Sequence, residues 1–114
     1  MHEVSLIAGL LEMVAVSAKE QGIARVTKVH LVVGAGHGAL PEALSLAFAA
    51  LSQGTECAGA ELTVEKLPIF LRCCACHHEY SPPGWPYVSC PRCGSLTVQL
   101  LQGDELYVEY YEGE

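Results

Sequence analysis

Hydrophobic residues near the start of the chain recur at intervals of three and four positions. The members of this stripe are Ile7, Leu10, Leu11, Val14 and Ala18. Such a period predicts an amphipathic helix over residues 4–21. Glu3 precedes it, where a carboxylate favours a helix N-terminus, and Gly22 follows, where a left-handed residue can end the helix.

A second helix is predicted over residues 41–53. Pro41 suits the first helical position, and Gly54 lies just beyond the end. Three residues at helical spacing are expected to form its buried face: Leu44, Phe48 and Leu51.

Strands are predicted from β-branched and alternating segments. Residues 25–33 are rich in Val and Thr, and residues 61–67 alternate, with Leu62 and Val64 on one face. Two further alternating runs lie near the C-terminus: Leu96, Val98, Leu100 and Leu106, Val108, Tyr110. The pair Gly103-Asp104 between these runs predicts a hairpin turn.

These elements predict an α+β fold. Two helices should cover a three-stranded sheet that the C-terminal strand completes. Residues 72–95 hold five of the six cysteines and show little apolar periodicity. A segment this small cannot form a sufficient core, so a bound metal ion or covalent cross-links must stabilise its fold. We therefore expect a domain formed by residues 1–70 plus 98–114, with a zinc-ribbon-like module inserted at residues 71–97.

Composition and charge exclude several classes of protein. Of 114 residues, 51% are hydrophobic and 17% charged, which excludes a disordered chain. The net charge of −7 argues against nucleic acid or an anionic membrane as a partner, because both require clustered Lys and Arg. The opening Met-His-Glu-Val-Ser lacks a basic leader, so we expect a cytoplasmic protein with reduced thiols.

The cysteine spacing is typical of a metal site. Cys73-x2-Cys76 and Cys90-x2-Cys93 are two CxxC pairs joined by a loop. Two intervening residues let one tight turn present both sulfurs to a single ion, and Gly94 fits a left-handed position after the second pair. Four thiolates close a tetrahedron, so zinc in a structural role is expected, with a rubredoxin-like iron site as the alternative.

Other cysteines and histidines could also take part. Cys74 is too close to Cys76 for the usual zinc turn, so Cys74 and Cys57 are interpreted as spare thiols. His77 and His78 are interpreted as exposed loop residues, although a site of three cysteines and one histidine stays open.

The first three residues form a second candidate metal site. In a chain that begins at Met1, the α-amine, the amide nitrogens of His2 and Glu3, and the His2 imidazole can bind one ion in a plane. Planar nitrogen sites suit Ni(II) or Cu(II). The imidazole must be neutral to bind, so affinity should fall as the pH drops through its ordinary pKa of about 6.5.

The chain resembles the HypA/HybF family of hydrogenase nickel-incorporation proteins over essentially its whole length. Three features carry the resemblance: the opening Met1-His2-Glu3, the module Cys73-x2-Cys76…Cys90-Pro-x-Cys93-Gly94-Ser95, and Pro41-Glu42-Ala43-Leu44 followed by Ala47-Phe48. His77, where a glycine is expected, the neighbouring Cys74, and the glycine-rich loop of residues 34–38 depart from the family pattern.

The resemblance implies a metallochaperone rather than an enzyme. Nickel would be bound at Met1, His2 and Glu3, and zinc at the four module cysteines. A nickel-binding GTPase similar to HypB would help deliver nickel to the large subunit of [NiFe] hydrogenase or, in some organisms, to urease. His37 is a candidate auxiliary nickel ligand, and we expect a monomer or weak homodimer. The competing functions are a zinc-ribbon protein-interaction module and a rubredoxin-like electron carrier.

Overall fold

The computed structural model describes residues 2–82 and 89–114, with the backbone alone for His2. The helices and strands in chain order are α1 (His2–Glu20), β1 (Val26–Gly34), α2 (Pro41–Leu51), β2 (Glu61–Leu67), β3 (Phe70–Cys73), β4 (Glu79–Tyr80), β5 (Val98–Gln102) and β6 (Leu106–Gly113). A single 3-10 turn, Ala35–His37, follows β1. The α+β class predicted from the sequence is confirmed.

Helix α1 forms where the apolar stripe predicted it. Every residue of the stripe is buried: Ile7, Leu10, Leu11, Val14 and Ala18. Gly22 has φ +71° just after the helix, the left-handed conformation expected of a residue that ends it. The local sequence pattern therefore defines both the buried face of α1 and its end.

Helix α2 is shorter than predicted and ends at Leu51. Leu44 and Phe48 are buried, whereas Leu51, which the sequence placed on the same face, is 38% exposed. Leu51 is the last helical residue, and the residue that follows it, Ser52, is buried in its place. Periodicity alone cannot locate this change, because it occurs where the helix stops.

One three-stranded sheet has the order β2-β1-β6. Strand β6 runs antiparallel to β1, because backbone hydrogen bonds join Arg25 to Glu114 near one end and Gly34 to Glu105 near the other. The C-terminal strand therefore completes this sheet, as predicted.

The predicted C-terminal hairpin was wrong. Strand β5 pairs with β3, in a second sheet of order β4-β3-β5, while β6 joins β1 in the first sheet. Strand β3, which the sequence analysis did not predict, aligns Leu71 with Leu100 and Cys73 with Val98. The Gly103-Asp104 segment is therefore where the chain passes from one sheet to the other.

The backbone after β1 approaches the backbone of Gly103 closely, and this explains the glycines at positions 34 and 36. The amide of Gly36 donates to the carbonyl oxygen of Gly103 at 2.8 Å. A Cβ atom on Gly34 would collide with the same carbonyl group. Only a residue without a side chain allows the two backbone segments to approach this closely.

The described residues divide into two compact units. The first comprises Met1–Val32, Ala39–Glu65 and Leu106–Glu114, and the second comprises Val33–Gly38 and Lys66–Glu105. The second unit has its own core of buried residues: Ile69, Leu71, Cys73, Tyr80 and Cys90. The sequence-based boundaries (1–70 plus 98–114, and 71–97) rest on the clustering of cysteines and the loss of apolar periodicity, and they stay a prediction.

Across residues 2–82 and 89–114, neither helix combines the length and the apolar character that crossing a membrane requires.

Candidate metal centre

The second unit brings four cysteine sulfurs together. Cys73 ends β3 and Cys76 lies in the turn after it, while Cys90 and Cys93 lie in a turn before β5. All four sulfurs are within 4.8 Å of one another, with Cys73–Cys93 at 3.5 Å and Cys76–Cys90 at 3.6 Å. Four sulfurs at these separations suit one tetrahedral ion such as zinc.

Two similar turns position these sulfurs. The amide of His77 donates to the carbonyl of Cys73 at 3.0 Å, and the amide of Gly94 donates to the carbonyl of Cys90 at 2.8 Å. In the first turn, the backbone N–H groups of Ala75 and Cys76 also point at the Cys73 sulfur, at 3.3 and 3.4 Å. These donors favour a thiolate over a thiol.

The pKa values of three of these thiols are shifted in different directions. The backbone N–H of Cys76 and then other donors lower the pKa of Cys73 to about 6. Burial raises the pKa of Cys90, but the N–H groups of Cys93 and Arg92 outweigh it, so the net change is downward. The N–H of Ser95 lowers the pKa of Cys93, yet the nearby thiols, led by Cys73, and burial outweigh it and raise the pKa to about 12. Because like charges repel here, a bound cation is needed for all four to be thiolates.

The other candidate ligands lie outside this cluster. Cys74 is exposed, and Cys57 is buried in the first unit, where burial raises the pKa of its thiol. In the described residues neither His77 nor His78 joins the four sulfurs, and the His78 ring stacks on Tyr80 at 5.7 Å between centroids. The geometry therefore brings together the four cysteines chosen from spacing.

The two turns differ at their last residue. Gly94 has φ +75°, as predicted, and His77 occupies the equivalent position with φ +63°. A residue with a Cβ atom loses about 1–2 kcal/mol in this conformation, whereas glycine adopts it freely.

Replacing His77 by glycine should therefore stabilise the metal-loaded second unit. After the greater freedom of glycine in the unfolded chain is subtracted, about 0.5–1 kcal/mol should remain. Denaturant unfolding of metal-loaded protein measures the change, and Gly94→Ala should shift the midpoint in the opposite direction. Equal midpoints for the wild type and His77→Gly would show that this turn carries no conformational strain.

The N-terminal residues are only partly described. Helix α1 begins at His2, and Glu3 lies in its first turn, half-buried. Met1 and the His2 side chain lie outside the described residues, so the nickel site at Met1, His2 and Glu3 stays a prediction. His37, the candidate auxiliary ligand, lies in the second unit, where its Nε2 donates to the carbonyl of Asp104 at 2.9 Å.

One further group was missed by the sequence analysis. His30, Glu65 and Glu109 bring a ring nitrogen and two carboxylate oxygens within 4.8 Å of one another. Each residue comes from a different strand of the first sheet. The only sequence signal was a histidine within an apolar strand, and its partners depend on strand pairing that the sequence does not specify.

The fold and the four-thiol cluster together define a small metal-binding protein. The profile of the HypA family, described as hydrogenase/urease nickel incorporation, metallochaperone, matches residues 1–113. The chain therefore belongs to the HypA family of nickel metallochaperones.

Similar proteins agree with this assignment. A hydrogenase maturation factor HypA from Desulfitobacterium hafniense is 41% identical over 114 residues, covering 100% of this chain and 99% of the relative. One from Moorella thermoacetica is 40% identical, covering 100% of both chains. The solution structure of the nickel metallochaperone HypA from Helicobacter pylori shares the fold, with a TM-score of 0.69 at 24% identity, covering 99% of this chain and 97% of that one.

Proposed function

We propose that this chain binds Ni(II) at its N-terminus and delivers it during hydrogenase maturation. Membership of the HypA family, established over residues 1–113, is the observation that carries the proposal. Nickel would be held by the Met1 amine, the amide nitrogens of His2 and Glu3, and the His2 imidazole. The nickel is cargo, so the chain itself catalyses no reaction.

The start of α1 is suited to this role. The first four backbone N–H groups of an α-helix have no partner within the helix. Since α1 begins at His2, the amide nitrogens of His2 and Glu3 belong to this set. A chelate that uses them would sacrifice little helical hydrogen bonding, and helix ends open at low cost. Binding and release would then require only the first turn to move.

The four-cysteine cluster has a different role in this proposal. Cys73, Cys76, Cys90 and Cys93 would hold zinc, and four protein ligands leave no open position for a substrate. The ion would reinforce the small core of the second unit, in which Cys73 and Cys90 are buried. Zinc would therefore maintain the shape of the second unit, which partners can recognise.

We propose the partners that the resemblance to the HypA/HybF family implies. A GTPase similar to HypB would assist transfer, and the large subunit of [NiFe] hydrogenase, or urease, would receive the nickel. We expect the transfer to take place in the cytoplasm, between proteins whose thiols are reduced. We further propose that the chain is a monomer or weak homodimer, with no nucleic-acid or membrane partner.

Complementation tests delivery directly. In the organism of origin, deletion of the gene should deprive the hydrogenase large subunit of nickel, and the wild-type chain should restore it. His2→Ala should restore less than a tenth of the nickel, measured by metal analysis of the purified hydrogenase. His37→Ala removes a histidine outside the proposed chelate and serves as the control. Full restoration by His2→Ala would refute the role of the N-terminal chelate.

A further inference from the structure

The first sheet carries a group of side chains that the proposed nickel and zinc sites do not use. The Nε2 atom of His30 lies 3.3 Å from an oxygen of Glu65 and 3.9 Å from an oxygen of Glu109. We propose that His30, Glu65 and Glu109 form a separate binding site for a divalent first-row transition metal. One imidazole and two carboxylates would supply three ligands, and water would fill the other positions.

A threonine hydroxyl lies against the second ring nitrogen of His30. The Thr63 hydroxyl lies 2.6 Å from His30 Nδ1 and 3.4 Å from the carbonyl oxygen of Val29, so it can accept from Nδ1–H while it donates to Val29. Without metal, Nε2–H donates to Glu65 at 3.3 Å. In a metal-bound form the proton would be on Nδ1 and the Nε2 lone pair would bind the ion. Metal-binding histidines characteristically donate their second ring N–H to such a partner, which fixes the ring orientation.

The ligands are held by rigid elements and remain accessible. The His30 ring stacks on Tyr110 with 5.0 Å between centroids, and its side chain is 17% exposed. Both glutamate side chains are 50% exposed. An ion can therefore approach from solvent without unfolding the sheet, and the imidazole is already placed to receive it.

The negative charges of the two glutamates favour a bound cation. The carboxylates of Glu65 and Glu109 converge on Nε2 of His30, and their negative charges repel each other. Lys28 supplies one nearby positive charge, with its ammonium 5.8 Å from the centre of the Tyr110 ring. A divalent ion would satisfy all three ligand atoms at once. The imidazole favours nickel, cobalt or zinc over magnesium and calcium, which prefer oxygen ligands alone.

A proton on Nε2 of His30 would compete with a metal ion for this site. Protonation at Nε2 would give an imidazolium paired with Glu65 and Glu109, and the cluster would then be an ordinary surface ion pair. In that case Ni²⁺ would have no measurable affinity for these residues near neutral pH. Metal binding and simple ion pairing therefore predict opposite results in a titration.

The experiment uses Ni²⁺ as the probe and the zinc-loaded full chain carrying His2→Ala, so that the N-terminal chelate does not contribute. Calorimetry at pH 7.5 should give about one Ni²⁺ bound per chain. In amide spectra of the same sample, the paramagnetic ion should broaden the signals of residues 29–31, 63–65 and 109–110 first. Because these signals report position, the outcome does not depend on whether the N-terminal nickel proposal is correct.

Matched variants distinguish a specific metal site from a general effect of negative surface charge. Adding Glu65→Gln and Glu109→Gln should weaken Ni²⁺ binding at least tenfold and abolish the local broadening. Glu61→Gln with Glu112→Gln removes the same charge from the same two strands and should change affinity less than threefold. Lys28→Gln should strengthen binding, because it removes a nearby positive charge.

Two results would overturn the proposal. One is equal Ni²⁺ affinity for the two double variants. The other is no broadening around His30 at millimolar Ni²⁺ in a sample whose spectrum shows a folded first unit. The second result would leave His30 as the centre of an ion pair only.

Discussion

Replacing Cys90 by serine is expected to release zinc from the chain and unfold the second unit. Metal analysis of the wild type should find about one zinc per chain, and the variant should retain less than a tenth of it. A serine hydroxyl is a poor ligand for zinc, so three thiolates would remain around a site that needs four. The free energy of binding structural zinc is about 10–16 kcal/mol in small zinc-finger peptides, so its loss exceeds what this unit can tolerate.

The small core of the second unit explains why unfolding should follow. Two of its buried core residues, Cys73 and Cys90, are themselves proposed ligands. Amide spectra should therefore lose dispersion throughout residues 66–82 and 89–105. Cys74→Ser provides the control, since Cys74 is exposed, adjacent to the cluster and not part of it. Zinc retained at one per chain in Cys90→Ser would contradict the four-thiolate site, and iron in the wild type would favour the rubredoxin-like alternative.

The second large effect concerns nickel. An untagged chain beginning at Met1 should bind Ni²⁺ stoichiometrically in calorimetry at pH 7.5, and His2→Ala should bind it at least tenfold more weakly. The substitution removes the imidazole and leaves only the amine and amide nitrogens. Affinity in the wild type should decline as the pH falls below about 6.5, because a protonated imidazole cannot bind metal.

Two controls make this measurement specific. His37→Ala removes a histidine that donates to Asp104 in the second unit and should leave the tight phase of nickel binding unchanged. An extra residue before Met1 should weaken binding as much as His2→Ala does, because it moves the α-amine away from the chelate. Unchanged affinity in both N-terminal variants would place the tight nickel site elsewhere.

The features that were correctly predicted from the sequence are local ones. The apolar stripe of α1 identified its buried face, since helical spacing alone determines which residues share a face. The CxxC spacing identified the cysteines that come together, because two intervening residues constrain both sulfurs to one turn. In each case residues close in the sequence carry the signal, and the structure preserves it.

The features that were missed depend on distant pairing. Alternation in residues 96–100 correctly indicated a strand, but the nearest alternating run was not its partner. The partner is β3, a four-residue strand too short to show a clear pattern. The grouping of His30 with Glu65 and Glu109 likewise requires the order β2-β1-β6, which no local pattern specifies. Strand pairing depends on the three-dimensional contacts of whole sheets.

The placement of β6 has a consequence for how the protein is made. Strand β1 lies between β2 and β6, and β6 follows every residue of the second sheet in the chain. During synthesis from the N-terminus, one edge of β1 therefore stays unpaired until residues 106–113 have left the ribosome. All four module cysteines emerge before that point. The second unit can therefore collect its metal ligands without β6, whereas the first sheet is complete only when β6 pairs with β1.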